Sequence, residues 1–442
     1  MPSRSTRRRF LTGTAGVLAA LAGCNEQSGP SNRGTVTPVD VPRTDEELLR
    51  EAAAIDSPTV PPAVIVSETH FEAAIDHVKS VRRKAEAALD DSGIDPEDRD
   101  AAPYDTPASI LDNTDDQLEH IRSEGKTRRA LRIALSALRE VGRLLGVLQA
   151  KNGTIDRESI RRELQAEREA VAALGEGFEY RLAAPIEKHL PTLAAAEEKL
   201  REAEEDQAFA ASIEKDDGEV RPLEFGEARL RIERIRRLRD DAERFRSTAT
   251  DASAPSIRGR IDDVLTELEA AVRPIAEEYG ADPPEQDDDM GATVEGRIRN
   301  VRRSVGSRSR RWTEEFDEYR RDGHRVRGLL EVTEWLLLFE AVDVAVDRTL
   351  ERLGPDEFPA ESVVTEKRRA VEAVEPIAEG TALQRRFAER AYGLLRSADS
   401  RAERGIGNSE EVAFVHLLYA SAKECAGRAA SRAETMAETL GE

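Results

Sequence analysis

Apolar residues recur along this chain at steps of three, four and seven over nearly its whole length, the spacing of helices with one buried face. After a predicted cap at Ser67, Phe71, Ile75, Val78 and Val81 fall on one face. A second stripe runs through Leu131, Leu135, Leu138, Leu145 and Leu148 and stops at Asn152-Gly153. The longest passes from Ile160 through Leu164, Val171, Leu174, Phe178, Leu182, Ile186, Leu190 and Leu193 to Leu200, and predicts a long coiled-coil-like seam. Ile232, Ile235, Leu238, Ala242 and Phe245 begin another, which Ile257, Ile261, Leu265, Leu268, Val272, Ile275 and Tyr279 answer. Only "AVIV" at 63–66 is β-prone, and four residues are too few to build a sheet. The expected fold is all-α: an elongated multi-helix bundle or an array of long helical hairpins.

Proline and acidic runs punctuate this pattern. Pro-Ile pairs at Pro185, Pro274 and Pro376 fall within helical stripes, where proline removes a backbone donor and bends the helix. Their unequal separations predict kinks rather than a true repeat. Breaks at Asp216-Asp217-Gly218 and in "ADPPEQDDDMGA" at 281–292 read as joints, so the expected regions are an N-terminal one over 44–215 and a C-terminal one over 216–442. Residues 24–43 are rich in Gly, Pro, Ser and Thr and nearly free of apolar side chains, which describes a flexible tether. "TDEELLREAAAID" then starts a helix after Thr44.

The first 23 residues fit no folded element. The run from Phe10 to Ala22 is interrupted by Thr12, Gly13, Thr14 and Gly16 and falls short of the ~20 apolar residues a bilayer demands. Thr6-Arg7-Arg8-Arg9-Phe10-Leu11 resembles the S/T-R-R-x-F-L pattern of twin-arginine export signals, with Arg7, Arg8, Phe10 and Leu11 at its defining positions. Leu21, Ala22, Gly23 and Cys24 resemble a lipobox, in which the cysteine sulfur receives lipid and the chain is cut just before it. The resemblance covers only this segment. It implies a mature chain starting at Cys24, held by lipid at the extracellular face of the cell membrane, and a domain that folds before export. Stable anchoring implies two acyl chains, at about 0.8 kcal/mol per buried methylene.

Charge adds a solvent to this address. The chain carries 66 Lys+Arg against 88 Asp+Glu, a net −22, and loss of residues 1–23 removes Arg4, Arg7, Arg8 and Arg9 and no acid, leaving −26. Only nine of the basic residues are lysines. Abundant acid, little lysine and much arginine resemble the proteins of salt-loving archaea. At about 1 M salt the Debye length shrinks to about 3 Å and self-repulsion is largely screened. Acids spread along the whole length speak against a nucleic-acid partner.

No linear motif names a reaction, a metal or a cofactor. None of His70, His77, His120, His189, His324 and His416 follows an acid at the Glu-x-x-His spacing of dimetal helical bundles. His70 and His77 stand about 10.5 Å apart along a helix, too far to converge on one ion. Gly125-Lys126-Thr127 lacks the earlier glycine and strand of a P-loop, and Asp287-Asp288-Asp289-Met290-Gly291 is no calcium loop. Cys425, left without a partner once Cys24 is lipidated, reads as a small packed residue. Asn152-Gly153-Thr154 is the one N-x-S/T sequon and makes Asn152 a candidate glycosylation acceptor at a helix–helix turn.

Two constellations remain. Arg297, Arg299, Arg302, Arg303, Arg308, Arg310 and Arg311 occur with no acid among them and form a candidate anion patch, for which Glu314, Glu315, Asp317 and Glu318 compete as pairing partners. Pairing is the stronger expectation, since salt weakens exposed contacts of either kind. On "EVTEWLLLFEAVDVAVD", Glu340, Asp343 and Asp347 share one face, as acid–base catalysis would require or as one polar face of a buried helix would.

The expected function is a lipid-anchored, extracellular binding or scaffolding protein, more non-enzymatic than enzymatic, with a surface-layer or membrane protein as partner. The alternative is a surface enzyme, or a metal- or solute-binding lipoprotein, whose site assembles from distant helices; a cleft joining Glu340 or Asp343 to a histidine would favour it. The charge generates the first prediction. Diluting the protein from molar to tens of millimolar KCl at neutral pH should abolish helical circular dichroism, and restoring the salt should recover it. An unchanged helix signal at low ionic strength would instead make a cationic partner the reason for the acids.

Overall fold

The computed structural model describes residues 43–99, 105–213, 221–279, 293–321, 323–353, 358–404 and 409–441. The export signal, the lipobox with Cys24, the tether up to residue 42, and the joints at 216–218 and 281–292 lie outside the described residues. The helices are α1 (Arg43–Ala54), α2 (Glu68–Ser92), α3 (Pro107–Glu124), α4 (Arg128–Lys151), α5 (Arg157–Glu176), α6 (Ile186–Ile213) and α7 (Pro222–Ala249). They continue with α8 (Arg258–Tyr279), α9 (Val294–Gly306), α10 (Ser309–Arg321), α11 (Arg325–Arg352), α12 (Glu361–Ala378), α13 (Ala382–Glu403) and α14 (Ser409–Gly441). The protein is all-α, as the periodicity predicts. Among the described residues the sole β-type pairing is a single antiparallel bridge between Leu182 and Thr250.

Local chemistry sets the helix ends. Ser67 caps α2 by accepting from the His70 amide, Thr127 caps α4 through the Ala130 amide, and Asp156 and Ser159 form a reciprocal capping box on α5. Gly93 and Gly153 follow α2 and α4 with φ near +64° and +65°, a conformation that costs glycine nothing.

The long seam predicted over Ile160–Leu200 is interrupted. α5 ends at Glu176 and α6 starts at Ile186, and Phe178, Tyr180 and Leu182 are buried from the loop between them. Tyr180 adopts φ 43° there. Pro185 therefore precedes a helix instead of kinking one, whereas Pro274 and Pro376 do sit inside α8 and α12, and Pro191 sits inside α6. An apolar stripe of period 3.6 cannot register a short loop whose side chains continue to point inward.

The chain forms two compact units: one made of 64–259 with 319–327, the other of residues up to 63 with 260–318 and 328–442. The division thus falls near 259 rather than at 215/216. α6 and α7 flank the expected joint yet pack against each other within the first unit, and α1 belongs with the C-terminal helices. The stripe on α7 accordingly meets α6 and α4, and α8 from Arg260 belongs to the second unit.

In the first unit, α4 packs on α2, α3 and α7, and α5 lies on α6 and α7. Glycine sets the α4–α7 distance. A Cβ on Gly146 would stand 2.4 Å from the Phe225 carbonyl oxygen and 2.8 Å from Gly226 Cα, and one on Gly226 would stand 2.9 Å from the Arg143 carbonyl. Backbone atoms cannot yield as a flexible side chain can. In the second unit α14 packs on α12 and α13, while α1 lies against the same two helices. Trp335 of α11 donates to the Val305 carbonyl (3.2 Å), and Gly306 lies directly against the Tyr279 ring.

Gly146→Ala should therefore destabilise the first unit by about 1–3 kcal/mol through overpacking. Gly427→Ala in α14, where the new methyl meets nothing within 4 Å, should be neutral or stabilising. Thermal melts in molar KCl would measure both, and equal melting temperatures would contradict the close α4–α7 approach.

Candidate functional site

The sequence-predicted arginines are mostly answered by carboxylates. Arg297 pairs with Glu410, Arg299 with Glu295 (2.8 Å), Arg310 with Glu314 (3.6 Å) and Arg311 with Glu315 (2.7 Å). Arg302 reaches Asp343 (2.7 Å) and Asp347 (2.5 Å) on α11. Arg303 and Arg308 are half-buried, and burial followed by the charges of Arg390 and Arg311 pulls the Arg308 pKa down. Glu314 and Glu315 thus pair with Arg310 and Arg311, Glu295 one turn earlier pairs with Arg299, and the sequence-distant Glu410, Asp343 and Asp347 pair with Arg297 and Arg302.

The α11 acids are the other half of the same arrangement. Asp343 and Asp347 serve Arg302, while Glu340 faces Arg432 (3.0 Å) and Arg428 (3.7 Å) of α14. Arg302, Arg428 and Arg432 are thus the ion-pair partners of these three acids. His416 is buried on α14, with Nδ1 3.1 Å from Thr349 Oγ1, and burial pushes its pKa down to about 4 against the opposing charge of Glu366. No group of three or more His, Cys, Asp or Glu able to hold a metal occurs among the described residues.

Asn152 closes α4, and its Nδ2 donates to the Ala88 carbonyl of α2 (2.8 Å). The nitrogen that would carry a glycan is thus engaged in helix packing. Cys425 is fully buried, and burial raises its thiol pKa to about 12, which leaves it a packing residue.

Two clusters escaped the sequence reading. The first centres on α7, where Arg229, Glu233, Arg237 and Asp241 follow one another at four-residue steps and are all buried. Toward α2, Asp241 accepts from His70 (2.6 Å) and Glu233 lies 2.9 Å from His77 Nε2. Toward α5, Arg229 forks onto Glu163 (2.6 and 2.9 Å), while Arg236 and Arg239 hold Glu167 (2.8 and 2.6 Å). Toward α6, Arg231 and Arg234 share Asp206. Burial would raise the Glu233 pKa, but His77, Arg236 and Arg229 outweigh it and hold the carboxyl at about 2. The alternation of sign at i, i+4 in "RLRIERIRRLRDD" was the available signal.

The second cluster fastens the N-terminal segment into the second unit. Lys367 of α12 is fully buried, and its three ammonium protons reach Ser57 Oγ (2.6 Å) and both oxygens of Asp399 on α13 (2.7 and 2.8 Å). Ser57 Oγ donates onward to Asp399 Oδ2 (3.0 Å), and the Tyr419 hydroxyl donates to Oδ1 (2.7 Å). Every polar atom in this ring has a partner, which is what makes a buried ion pair tolerable. Ser57 comes directly after α1, whose Leu49 and Ala52 are buried and whose Glu51 pairs with Arg368 (3.1 Å). Lys367 thus touches both carboxylate oxygens of Asp399 as well as Ser57. Its rarity was the only hint, one of nine lysines in a chain that otherwise uses arginine.

Comparison with known proteins follows the same division. Residues 69–255 match the family described as Domain of unknown function (DUF8262), and residues 258–438 match Domain of unknown function (DUF8264). The gap between the two matches falls where the first compact unit gives way to the second. No curated protein and no solved structure matches the chain. The chain is thus similar to two families in succession, each over its own unit's main segment.

Lys367→Met tests the clasp. Removing one partner of a buried pair should cost about 3–5 kcal/mol and free residues 43–57 to exchange their amide hydrogens early. Arg368→Ala, which breaks an exposed pair, should cost about 1 kcal/mol or less. Slow exchange of residues 43–57 in the Lys367→Met protein would show that the apolar contacts of α1 suffice.

Proposed function

We propose that this chain is a lipid-anchored protein of the extracellular face of the cell membrane, and that its helical units act as a binding or scaffolding module. A surface-layer protein or a membrane protein is the partner class. Leu21-Ala22-Gly23-Cys24 behind the twin-arginine pattern supplies the anchor, and the run to residue 43 supplies the reach.

The observation that carries this reading is the build of the next segment. The first residues of a folded domain are poorly ordered unless something ties them down. Here α1 is tied by Leu49, Ala52 and the Ser57–Lys367–Asp399 ring. A pull on the tether would load a packed helix and a satisfied buried ion pair rather than a frayed end. The acids on α11, the strongest candidates for acid–base chemistry in the sequence, act as counter-ions to Arg302, Arg428 and Arg432.

Cys24→Ser tests the anchor. The variant should leave the membrane fraction or accumulate as a precursor that retains residues 1–23, both read by fractionation and intact mass. A variant that remained membrane-bound at the mature mass would remove the lipid from the account and with it the surface reading.

A further inference from the structure

In the first unit the Tyr180 hydroxyl faces two acceptors with one proton. Its oxygen lies 2.9 Å from Glu197 Oε1 and 2.5 Å from the Gly323 carbonyl oxygen. A carbonyl oxygen only accepts, so the contact to Gly323 uses the tyrosine proton. The contact to Glu197 then requires a second proton, and the carboxyl itself is the group placed to provide it. The other oxygen, Oε2, accepts the backbone N–H of Arg327 (2.5 Å). Glu197 sits on α6 with 0 % of its surface exposed, where an ionised carboxylate is costly without a full set of partners.

We propose that Glu197 is a proton-operated latch: as a neutral acid it completes the chain Glu197–Tyr180–Gly323 and holds residues 323–327, and on ionising it releases them. Ionisation would turn the Tyr180 proton toward the carboxylate and leave the Gly323 carbonyl without its donor. Gly323, at φ 79°, holds a conformation that glycine adopts freely.

The charges around the latch are these. His324 lies near Glu197 and is itself 3.0 Å from Glu204. The Arg325 guanidinium donates to the Tyr180 hydroxyl oxygen and lies 5.9 Å from the ring centre, and that of Arg327 lies 5.8 Å from the ring of Tyr319. Along α6, Glu198 is held by Arg128 of α4 (2.5 Å), Glu202 by Lys199 (2.8 Å), and Asp206 by Arg231 and Arg234 of α7. Burial also raises the pKa of Glu205. For Glu197 burial is the largest influence; it overcomes the Arg327 and Val326 amides, His324 and the Tyr180 hydroxyl and lifts the pKa to about 7.

The sign follows from linkage. Once residues 323–327 open and water enters, the carboxyl returns to its ordinary value of 4.5. The closed state therefore binds the proton more tightly, and opening becomes easier as pH rises from 4.5 to about 7, then levels off.

Hydrogen exchange of the full folded chain in molar KCl tests this, with protection of residues 323–327 compared at about pH 5 and about pH 8 after correction for intrinsic rates. Wild type should lose about tenfold protection or more. Glu197→Gln should show no such loss, because the amide donates to Tyr180, accepts from Arg327 and does not titrate. Residues 382–403 of the second unit report the general effect of charge. A wild type that keeps its protection, or a Glu197→Gln protein that loses it in parallel, overturns the latch. If Glu197→Gln does not fold, Tyr180→Phe takes its place. It should exchange quickly over 323–327 already at pH 5, and wild-type protection there would equally overturn the proposal.

Discussion

The first unit depends on one constraint: α7 carries four ionisable side chains along its buried face, and each needs a hydrogen-bonding partner within reach. Arg229, Glu233, Arg237 and Asp241 stand one turn apart, so their partners must recur at matching intervals. On α2 the answer is His70 opposite Asp241 and His77 opposite Glu233, two turns against two turns in antiparallel order. On α5 and α6 it is Glu163, Glu167 and Asp206. A slide of α7 by one turn would put Glu233 in the place of Arg229 opposite Glu163, acid against acid. Such pairs add little net stability over well-packed apolar residues, but breaking one is expensive, and this asymmetry makes them instruments of register.

Close approach and charge pairing work together on this helix. α4 meets α7 through Gly142 and Gly146, with Gly226 on the facing surface, so α7 presents backbone to α4 beside the Arg143–Glu227 pair, and its buried charges to α2, α5 and α6. The second unit repeats the chemistry with other residues. Glu334 is shared by Arg386 and Arg390, Glu366 is held by Lys423, and Lys367 by Asp399 and Ser57. In all of these the buried member is met from a neighbouring element, so the pairs join elements rather than brace single helices.

This division of labour suits a chain of high net charge. Exposed acids repel and rely on ions in the solvent for screening, an effect that acts over a Debye length. Buried pairs lie inside that length and are screened little by added salt. Strong salt therefore weakens the surface repulsion without dissolving the interior contacts. High net charge outside and ion pairs inside are then parts of one physical solution: solvent ions screen the first, and the paired charges keep a defined packing.

Helix content, the Ser67 cap, the stop at Asn152-Gly153 and the apolar face of α7 were legible in the sequence because each depends on residues within a turn or two. The pairing of Arg310 and Arg311 with Glu314 and Glu315 was legible for the same reason, at one turn's distance. Only the tertiary structure decided that α7 turns toward α6 and α4, that the unit boundary lies near 259, and that α1 belongs with α12 and α13. It alone brought Ser57 to Lys367 and Asp399, and Tyr180 to Glu197 and Gly323. Those contacts join residues up to hundreds of positions apart, and a helical period is blind to them. It reports which face of a helix turns inward, whereas the partner on that face is selected by which charges and which small residues can meet at the lowest free energy in three dimensions.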